Sequence, residues 1–190
     1  MPRIAIVGTD TEVGKTTVGV ALIAALAARG HALGVLKPIE SGTDDNSGLP
    51  ADADALRRAA GNRQSLETVC PWPLPRPVAP AEELERLGLD VTPDALARAR
   101  DTAATGAELL LVETAGGLRS PLTTEWTCLD LCAAWSTHCL LVVPDRLGAI
   151  NQASLSLLAL EQAGLEPLAV VLNRFGACEG PEHDTYAKWL

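Results

Sequence analysis

A glycine-spaced segment near the N-terminus constrains the fold of this chain more than any other feature. It reads GTDTEVGKTT over residues 8–17 and lies between an apolar, β-branched run at 4–7 and an apolar run at 16–29. The first run predicts a strand buried on both faces, and the second, which stops at Gly30, predicts a helix. Glycines at both ends of the connection let the backbone turn tightly. We therefore expect a strand–loop–helix unit at the start of an α/β fold.

The same segment has the properties of an anion-binding loop. Gly8 and Gly14 allow successive N–H groups to face one point, and the following helix N-terminus adds a positive partial charge. Lys15 supplies a charge suited to β- and γ-phosphates, and the hydroxyl of Thr16 is a ligand for Mg²⁺. The segment resembles a P-loop with five residues between the glycines instead of four. The alternative is a tight turn with an incidental lysine, but the flanking strand and helix favour nucleotide phosphate binding.

Apolar runs and helical spacing alternate along the rest of the chain. Strands are predicted at 33–36, 109–112, 139–143 and 168–172, and helices at 54–60, from 92 onward, at 127–134 and at 149–162. This alternation is typical of a parallel sheet with helices on both faces. We predict one α/β domain over residues 1–190, with the three-layer architecture of P-loop nucleotide-binding proteins. Residues 39–53 and the proline-rich segment near 71–80 are predicted as loops.

Ligands of parallel α/β sheets bind beyond the carboxyl ends of the strands, so the polar residues that follow each strand are candidates. Lys37 follows the second strand and suits a phosphate, whereas Glu113 follows the third and suits a metal ion. From the residues alone, each also fits a solvated charge at a strand end, as do Asp52 and Asp54. Residues 147–151 precede a helix, and their N–H groups fit either a carboxylate ligand or an ordinary helix cap.

Composition narrows the partners that we expect. Fifteen Lys and Arg against 24 Asp and Glu give a net charge of −9, which argues against nucleic acid and anionic membranes as partners. The apolar run at 4–7 is too short for a signal peptide, and no run is long enough for a membrane span, so we expect a cytoplasmic protein. The five cysteines contain no Cys-x-x-Cys pair, and we expect reduced, mostly buried thiols.

Taken together, six segments resemble the dethiobiotin synthetases, the ATP-dependent carboxylases of biotin synthesis. They occur in the family's order over almost the whole chain. The segments are GTDTEVGKT (8–16), KPIESG (37–42), DADAL (52–56), VETAGG (112–117) with Pro121 and Leu122, RLGAIN (146–151) and VVLN (170–173). The first is highly specific, and the others are weak singly and strong together. The chain departs from the family pattern at Thr114, where the family has glycine, and at Ala79-Pro80-Ala81, where it has Ser-Pro-His.

The resemblance implies a role for each matching residue. ATP would be bound by Glu12, Val13, Gly14, Lys15, Thr16, Thr17, Asp54, Glu113, Gly116 and Asn173. Mg²⁺ would be held by Thr16, Asp54 and Glu113. The substrate would be bound by Thr11, Lys37, Ser41, Leu147, Gly148, Ala149, Ile150 and Asn151. The catalytic residues would be Lys37, Lys15 and Thr11.

The resemblance also implies a reaction. The substrate 7,8-diaminononanoate would be carbamylated by CO₂, the carbamate would attack the γ-phosphate of ATP, and the second amine would close a cyclic urea. Residues 147–151 would reach the substrate carboxylate across a homodimer interface. Two alternatives belong to the same superfamily. A regulatory ATPase switch of the partition or septum-site type carries a second lysine in its loop, where this chain has Asp10. A cobyrinate-type amidation normally needs a glutaminase domain as well.

Overall fold

A computed structural model describes residues 1–43 and 47–174 of the chain. Five parallel strands form the main sheet in the order β2-β5-β1-β6-β7. The strands are β1 (Arg3–Gly8), β2 (Leu33–Leu36), β5 (Leu109–Gly117), β6 (His138–Pro144) and β7 (Pro167–Asn173), and a separate pair is formed by β3 (Ile39–Ser41) and β4 (Trp72–Leu74). The predicted α/β class with a parallel sheet is therefore confirmed.

The central strands are apolar on both faces because helices cover both faces. In β1, Ala5 and Val7 belong to one core cluster, and Ile6, between them, belongs to the other. Alternate side chains of a strand point to opposite faces, so each strand contributes to both cores. The helices are α1 (Lys15–Ala28), α2 (Ala51–Ala59), α3 (Leu66–Val69), α4 (Pro80–Leu87), α5 (Pro93–Ala103), α6 (Cys128–Ala134) and α7 (Ala149–Gln162).

Helix starts that the sequence marks clearly are found close to their predicted positions. Thr92 accepts a hydrogen bond from the N–H of Ala95 and is followed by proline, as expected for a helix that begins at residue 93. Thr127 and Asp130 cap each other reciprocally at the start of α6. Helix α7 has the predicted bounds, Ala149–Gln162. These starts depend on local chemistry, which the sequence displays directly.

The two predicted loops are partly wrong. Ile39–Ser41 and Trp72–Leu74 pair as parallel strands, and helix α2 begins at Ala51, inside the segment predicted as loop. Proline is tolerated in β4 because this strand has only one partner and lies at an edge. The short helices α3 and α4 were not predicted, since proline and charged residues dominate the sequence around them.

Strand β5 is longer than predicted. The sequence places its end before Glu113, because a carboxylate is unusual inside a buried strand. In the structure the strand continues to Gly117, and Glu113 lies opposite Ile6 of β1. The carboxylate is tolerated because it has a lysine and a hydroxyl as partners, which offset the cost of burying its charge.

Two further expectations concern burial and membranes. Cys70, Cys128, Cys132 and Cys139 are buried and unpaired, as expected, and Cys178 lies outside the described residues. Burial raises the pKa of the Cys128 thiol to about 11, which keeps it protonated. Within 1–43 and 47–174, the helices are too short or too polar to cross a bilayer.

Candidate nucleotide and substrate site

A cavity of about 850 Å³ lies at the carboxyl ends of β1, β2 and β5. This is the edge of the sheet at which the sequence predicts a ligand site. Ten of the predicted site residues line it: Thr11, Glu12, Gly14, Lys15, Thr16, Thr17, Lys37, Ser41, Glu113 and Gly116. Residues far apart in the sequence are thus brought together around one space.

The loop after β1 folds back tightly over its own strand. Gly14 has a φ of 93° and is the N-cap of α1, in a left-handed conformation that favours glycine. A Cβ at Gly8 would lie 2.8 Å from Cγ2 of Val13 and 3.0 Å from Cδ of Lys15, so only glycine fits there. The Lys15 ammonium donates a hydrogen bond of 2.8 Å to the carbonyl of Asp10. The loop therefore holds this lysine at the cavity surface.

Glu113 is the polar centre of the site. Its Oε1 accepts hydrogen bonds from Oγ1 of Thr16 at 2.8 Å and from Nζ of Lys37 at 2.7 Å. Its Oε2 is buried and has no hydrogen-bond partner among the residues that the structure describes. One carboxylate thus joins the first turn of α1 to the residue after β2.

Lys37 is almost fully buried, with 5% of its surface exposed. It forms ion pairs with Glu113 and with Asp52, which lines the same cavity. Burial alone would lower the pKa of Lys37, but the nearby carboxylates of Glu113, Asp52 and Glu40 outweigh burial and raise it. The side chain is therefore a permanent cation at neutral pH.

Lys15 lies in the same cavity and has a different electrostatic environment. Burial lowers its pKa from the ordinary 10.5, and the positive charge of Lys37 lowers it further, while Glu113 partly opposes the shift. Lys15 and Lys37 thus lie in one cavity, close enough for the charge of Lys37 to affect the pKa of Lys15. Both ammonium groups are placed where they could contact a phosphorylated ligand, beside the carboxylates of Glu113 and Asp52.

The segment after β2 carries two further polar groups. Glu40 accepts hydrogen bonds from the N–H groups of Asp52 at 3.0 Å and Ala53 at 2.8 Å, and thereby caps the start of α2. The hydroxyl oxygen of Ser41 is buried and has no partner within the described part of the chain. Ser41 lines the cavity, so a ligand is the natural partner of its hydroxyl.

Asp54, which the resemblance implies as a metal ligand, is not among the described residues that line the cavity. Both of its carboxylate oxygens are occupied by the guanidinium groups of Arg57 and Arg58, and the hydrogen bonds from Arg58 lower its pKa most. Asp52, for which the sequence leaves a solvated charge as an alternative, forms an ion pair with Lys37. The role of Asp54 as a metal ligand stays a prediction.

Some predicted ATP-binding and substrate-binding residues do not line the cavity. Asn173 donates a hydrogen bond of 2.9 Å to the carbonyl of Val13, which ties the end of β7 to the loop after β1. Val13 itself is buried beneath that loop. Residues 147–151 are not among the described residues that line the cavity. Leu147 is 89% exposed, and Gly148 is the N-cap of α7.

The sequence assigns no role to several residues that line the cavity. They are Glu40, Gly42, Asp52, Thr114, Ala115, Ser120 and the segment 77–80. Four of them lie in 37–42 and 113–119, the segments after predicted strands in which ligand residues are expected. The hydroxyl of Thr114, the residue that replaces the family's glycine, donates to the carbonyl of Ile6 at 3.4 Å. The proline content of 71–80 could have indicated a rigid segment near a site, but nothing in it suggests which site.

The sheet, the loop after β1 and the lysine that begins α1 define a P-loop nucleotide-binding protein. The whole chain agrees with this class, because residues 2–187 match the family described as "AAA domain". The chain also resembles the kinase domain of the Escherichia coli tyrosine kinase ETK, with a TM-score of 0.56 and 20% identity over 94% of this chain and 69% of that one. At this identity the likeness concerns the fold alone.

Within this class, the chain belongs to the ATP-dependent dethiobiotin synthetase family. It is 40% identical to the ATP-dependent dethiobiotin synthetase BioD of Anaeromyxobacter dehalogenans (strain 2CP-C), over 94% of this chain and 78% of the relative. It is 37% identical to the BioD of Caulobacter sp. (strain K31), over 100% of this chain and 83% of the relative. The predicted family is confirmed, and with it the prediction that the chain is a member of an enzyme family.

Proposed function

We propose that this protein converts 7,8-diaminononanoate, CO₂ and ATP into dethiobiotin, with Mg²⁺ as the metal. The observation that carries the proposal is the convergence of Lys15 and Lys37 on one cavity, beside Glu113 and Thr16. A simple nucleotide-binding protein needs the loop lysine, but it has no need of a second buried ammonium after the neighbouring strand. A reaction that creates an anionic carbamate next to a triphosphate uses both.

The loop after β1 would bind the phosphates of ATP. Residues of the loop and of the first turn of α1 line the cavity, so their N–H groups would meet the phosphates, and Lys15 would add a positive charge beside the β- and γ-phosphates. To meet the phosphates, the Lys15 ammonium would exchange its hydrogen bond to the Asp10 carbonyl for one to a phosphate oxygen. That exchange strengthens the contact, because hydrogen bonds between charged partners are stronger.

The residues present fit a magnesium ion. Mg²⁺ prefers oxygen ligands and takes only one or two carboxylates alongside phosphates and water. Thr16 and Glu113 offer a hydroxyl and a carboxylate 2.8 Å apart, and Oε2 of Glu113 lacks a partner among the described residues. These two side chains would hold the ion, and Asp54 would join them only by releasing its arginines. When bound, Mg²⁺ neutralises charge on the transferring phosphoryl group.

Lys37 would hold the carbamate. One neutral amine of the substrate adds to CO₂ and its nitrogen loses a proton to solvent, so the new N–C bond leaves a carbamate with one negative charge. A carbamate oxygen then attacks the γ-phosphorus, the bond to the β-phosphate oxygen breaks, and ADP leaves. Positioning and charge stabilisation supply most of the catalysis of such a transfer. The permanent charge of Lys37, released from Asp52, suits both the carbamate and the phosphoryl group.

Ring closure would follow within the same cavity. The second amine attacks the carbonyl carbon of the mixed anhydride, a C–N bond forms, and the C–O bond to phosphate breaks. Phosphate leaves and the ring nitrogen loses its proton. Thr11 and Ser41 line the cavity and would hydrogen-bond the reacting groups. The buried hydroxyl of Ser41, which has no partner within 1–43 and 47–174, supports this role.

A second copy of the chain would complete the substrate site. Leu147, Leu155 and Leu158 are large apolar side chains with exposures of 89%, 60% and 48%. They lie on and just before α7, next to residues 148–151, whose N–H groups at the helix start suit a carboxylate. Pairing of two copies through this region would cover the leucines and bring residues 147–151 to the cavity of the partner.

The test is the dependence of phosphate release on each substrate. Phosphate is measured with ATP and Mg²⁺, with and without diamine and with and without bicarbonate. We expect release only when all are present, together with a ring-closed product in the same sample. A rate of release that does not change when diamine is omitted would contradict the proposal. Lys15→Ala protein, purified in the same way, is the control for contaminating ATPases.

A further inference from the structure

An apolar segment closes one side of the cavity. Pro77, Val78, Ala79 and Pro80 line it and form the segment that we call the proline wall, residues 77–80. The proline wall lies beside the end of β3, because a Cβ placed on Gly42 would meet Cβ of Pro77 at 3.0 Å. It therefore borders the end of the cavity that contains Ser41.

The first half of the proline wall, Pro77 and Val78, lies outside any helix or strand. Strand β4 ends at Leu74, and helix α4 begins only at Pro80. The two prolines of the wall have no N–H to donate, and the N–H of Val78 bonds to the nearby carbonyl of Arg76. The second half of the wall is fixed by α4, because Ala79 is the N-cap of this helix and its carbonyl accepts from the N–H of Glu82 at 3.0 Å. The first half depends on the preceding residue, Arg76. The carbonyl of Arg76 accepts from the N–H of Gly42 at 3.1 Å, and the side chain of Arg76 is held from the other direction.

That second anchor is a buried carboxylate on α4. Glu83 has no exposed surface, and its Oε2 accepts a hydrogen bond from Nε of Arg76. It also accepts from Nε and Nη2 of Arg86 at 2.7 Å and 2.6 Å. Hydrogen bonds from Arg86, and also from Arg76, lower the pKa of Glu83 to about 2 although burial opposes the shift. The carboxylate is thus a permanent acceptor for both arginines.

We infer that the Arg76–Glu83 ion pair positions the proline wall, and that the proline wall packs against the aliphatic chain of the substrate. The inference rests on the proposed function, because it assumes that 7,8-diaminononanoate binds in the part of the cavity that contains Ser41. The substrate has a hydrocarbon chain between its amines and its carboxylate. A wall of proline, valine and alanine offers that chain apolar contact and few donors that would need a polar partner.

The two arginines on Glu83 have different tasks. Arg86 lies three residues further along α4, so its pair with Glu83 stays within the helix. Arg76 directly precedes the proline wall, and its ion pairs with Glu83 and Glu82 tie the first half of the wall to α4. Their side chains are exposed to similar extents, 43% for Arg76 and 47% for Arg86. Substituting each in turn therefore separates positioning of the proline wall from stability of α4.

The experiment compares Arg76→Gln with Arg86→Gln in steady-state kinetics, with nucleotide affinity measured by titration on the same samples. We expect Arg76→Gln to raise the KM for the full-length diamine about tenfold with a small change in kcat. Nucleotide affinity should stay at the wild-type value in both variants. Arg86→Gln should change the KM by less than about twofold, because the Arg76–Glu83 tie remains.

A short vicinal diamine without the aliphatic chain, propane-1,2-diamine, tests the contact itself. The effect of Arg76→Gln on kcat/KM should disappear with this substrate, because it cannot reach the proline wall. Equal losses with both diamines, or weaker nucleotide binding, would show a general structural defect and overturn the inference. If Arg76→Gln forms product with an unchanged KM for the diamine, the role of the Arg76–Glu83 pair is overturned and the proposed function stands. If the wild-type protein forms no product, both the inference and the proposed function are overturned.

Discussion

The two ends of the cavity are built in different ways. The nucleotide end consists of the loop over residues 8–17 and Glu113, and ten consecutive residues supply most of it. The substrate end consists of Ile39–Ser41, Gly42 and the proline wall, which come from separate parts of the chain and meet through the small β3–β4 sheet. The first end is encoded locally, and the second depends on tertiary contacts. Lys37 lies between the two ends and belongs to both.

The largest effect is expected from removing the residue that joins the two ends. Lys37→Ala should lower kcat about a hundredfold to a thousandfold, because a cation that stabilises developing charge is lost. Nucleotide affinity should change little, since the loop and Lys15 remain. Product formation and nucleotide titration on one sample measure both. Unimpaired turnover would remove Lys37 from the mechanism, and lost nucleotide affinity would place it wholly at the nucleotide end.

Lys15→Ala addresses the nucleotide end alone. We expect triphosphate affinity to weaken about tenfold to a hundredfold, because a charge-assisted hydrogen bond to phosphate disappears. Calorimetric titration with ATP and Mg²⁺ measures this loss. In the same variant the affinity for ADP should fall less than the affinity for ATP, because ADP lacks the γ-phosphate. Wild-type affinity for ATP in this variant would contradict the assignment of the loop.

Ser41→Ala addresses the substrate end. The KM for the diamine should rise about fivefold, while nucleotide affinity stays constant, because one hydrogen bond to the substrate is lost. Thr102→Ala is the control. Thr102 is an exposed residue of α5 that does not line the main cavity, so its substitution should leave the KM for the diamine unchanged. Similar kinetic changes in both variants would show that the effect of Ser41 is not specific to the site.

The smallest expected effect is on the pH dependence of the free energy of unfolding, through Glu83 beside the substrate end. The pKa of Glu83 is lowered from 4.5 to about 2, so the unfolded chain binds the proton more readily. This contribution to stability is present above pH 4.5 and is lost as the pH falls towards 2. In Glu83→Gln, unfolding in this range should take up roughly one proton fewer. Parallel slopes of the free energy of unfolding against pH would contradict the pairing.

The difference between the two ends also explains which features the sequence could predict. The strand, loop and helix around residues 8–17 are readable because glycine spacing, apolar runs and the lysine are local signals. Strand β4 could not be predicted from residues 71–77, because its Pro73 is permitted only by the edge position that tertiary pairing creates. The extent of β5 past Glu113 could not be predicted for a similar reason. A buried carboxylate is stable inside this strand only because Lys37 and Thr16 hydrogen-bond to it.

Asp52 and Asp54 show how finely a site can depend on helix geometry. A helix turns about 100° per residue, so two acids that are two positions apart point in nearly opposite directions. In this structure Asp52 faces Lys37, and Asp54 is held by Arg57 and Arg58. The motif DADAL gives both acids the same chemistry, and only the start of α2 at Ala51, which Glu40 caps, determines which of them faces the cavity.

The central claim is that Lys15 and Lys37 bring a triphosphate and a carbamate together in one cavity. The most direct test supplies the wild-type protein with 7,8-diaminononanoate, ATP, Mg²⁺ and isotopically labelled bicarbonate, and follows the product by mass spectrometry. The account predicts a cyclic urea that carries the label, formed with one phosphate released per ring and lost in Lys37→Ala. Hydrolysis of ATP without any labelled ring would contradict it.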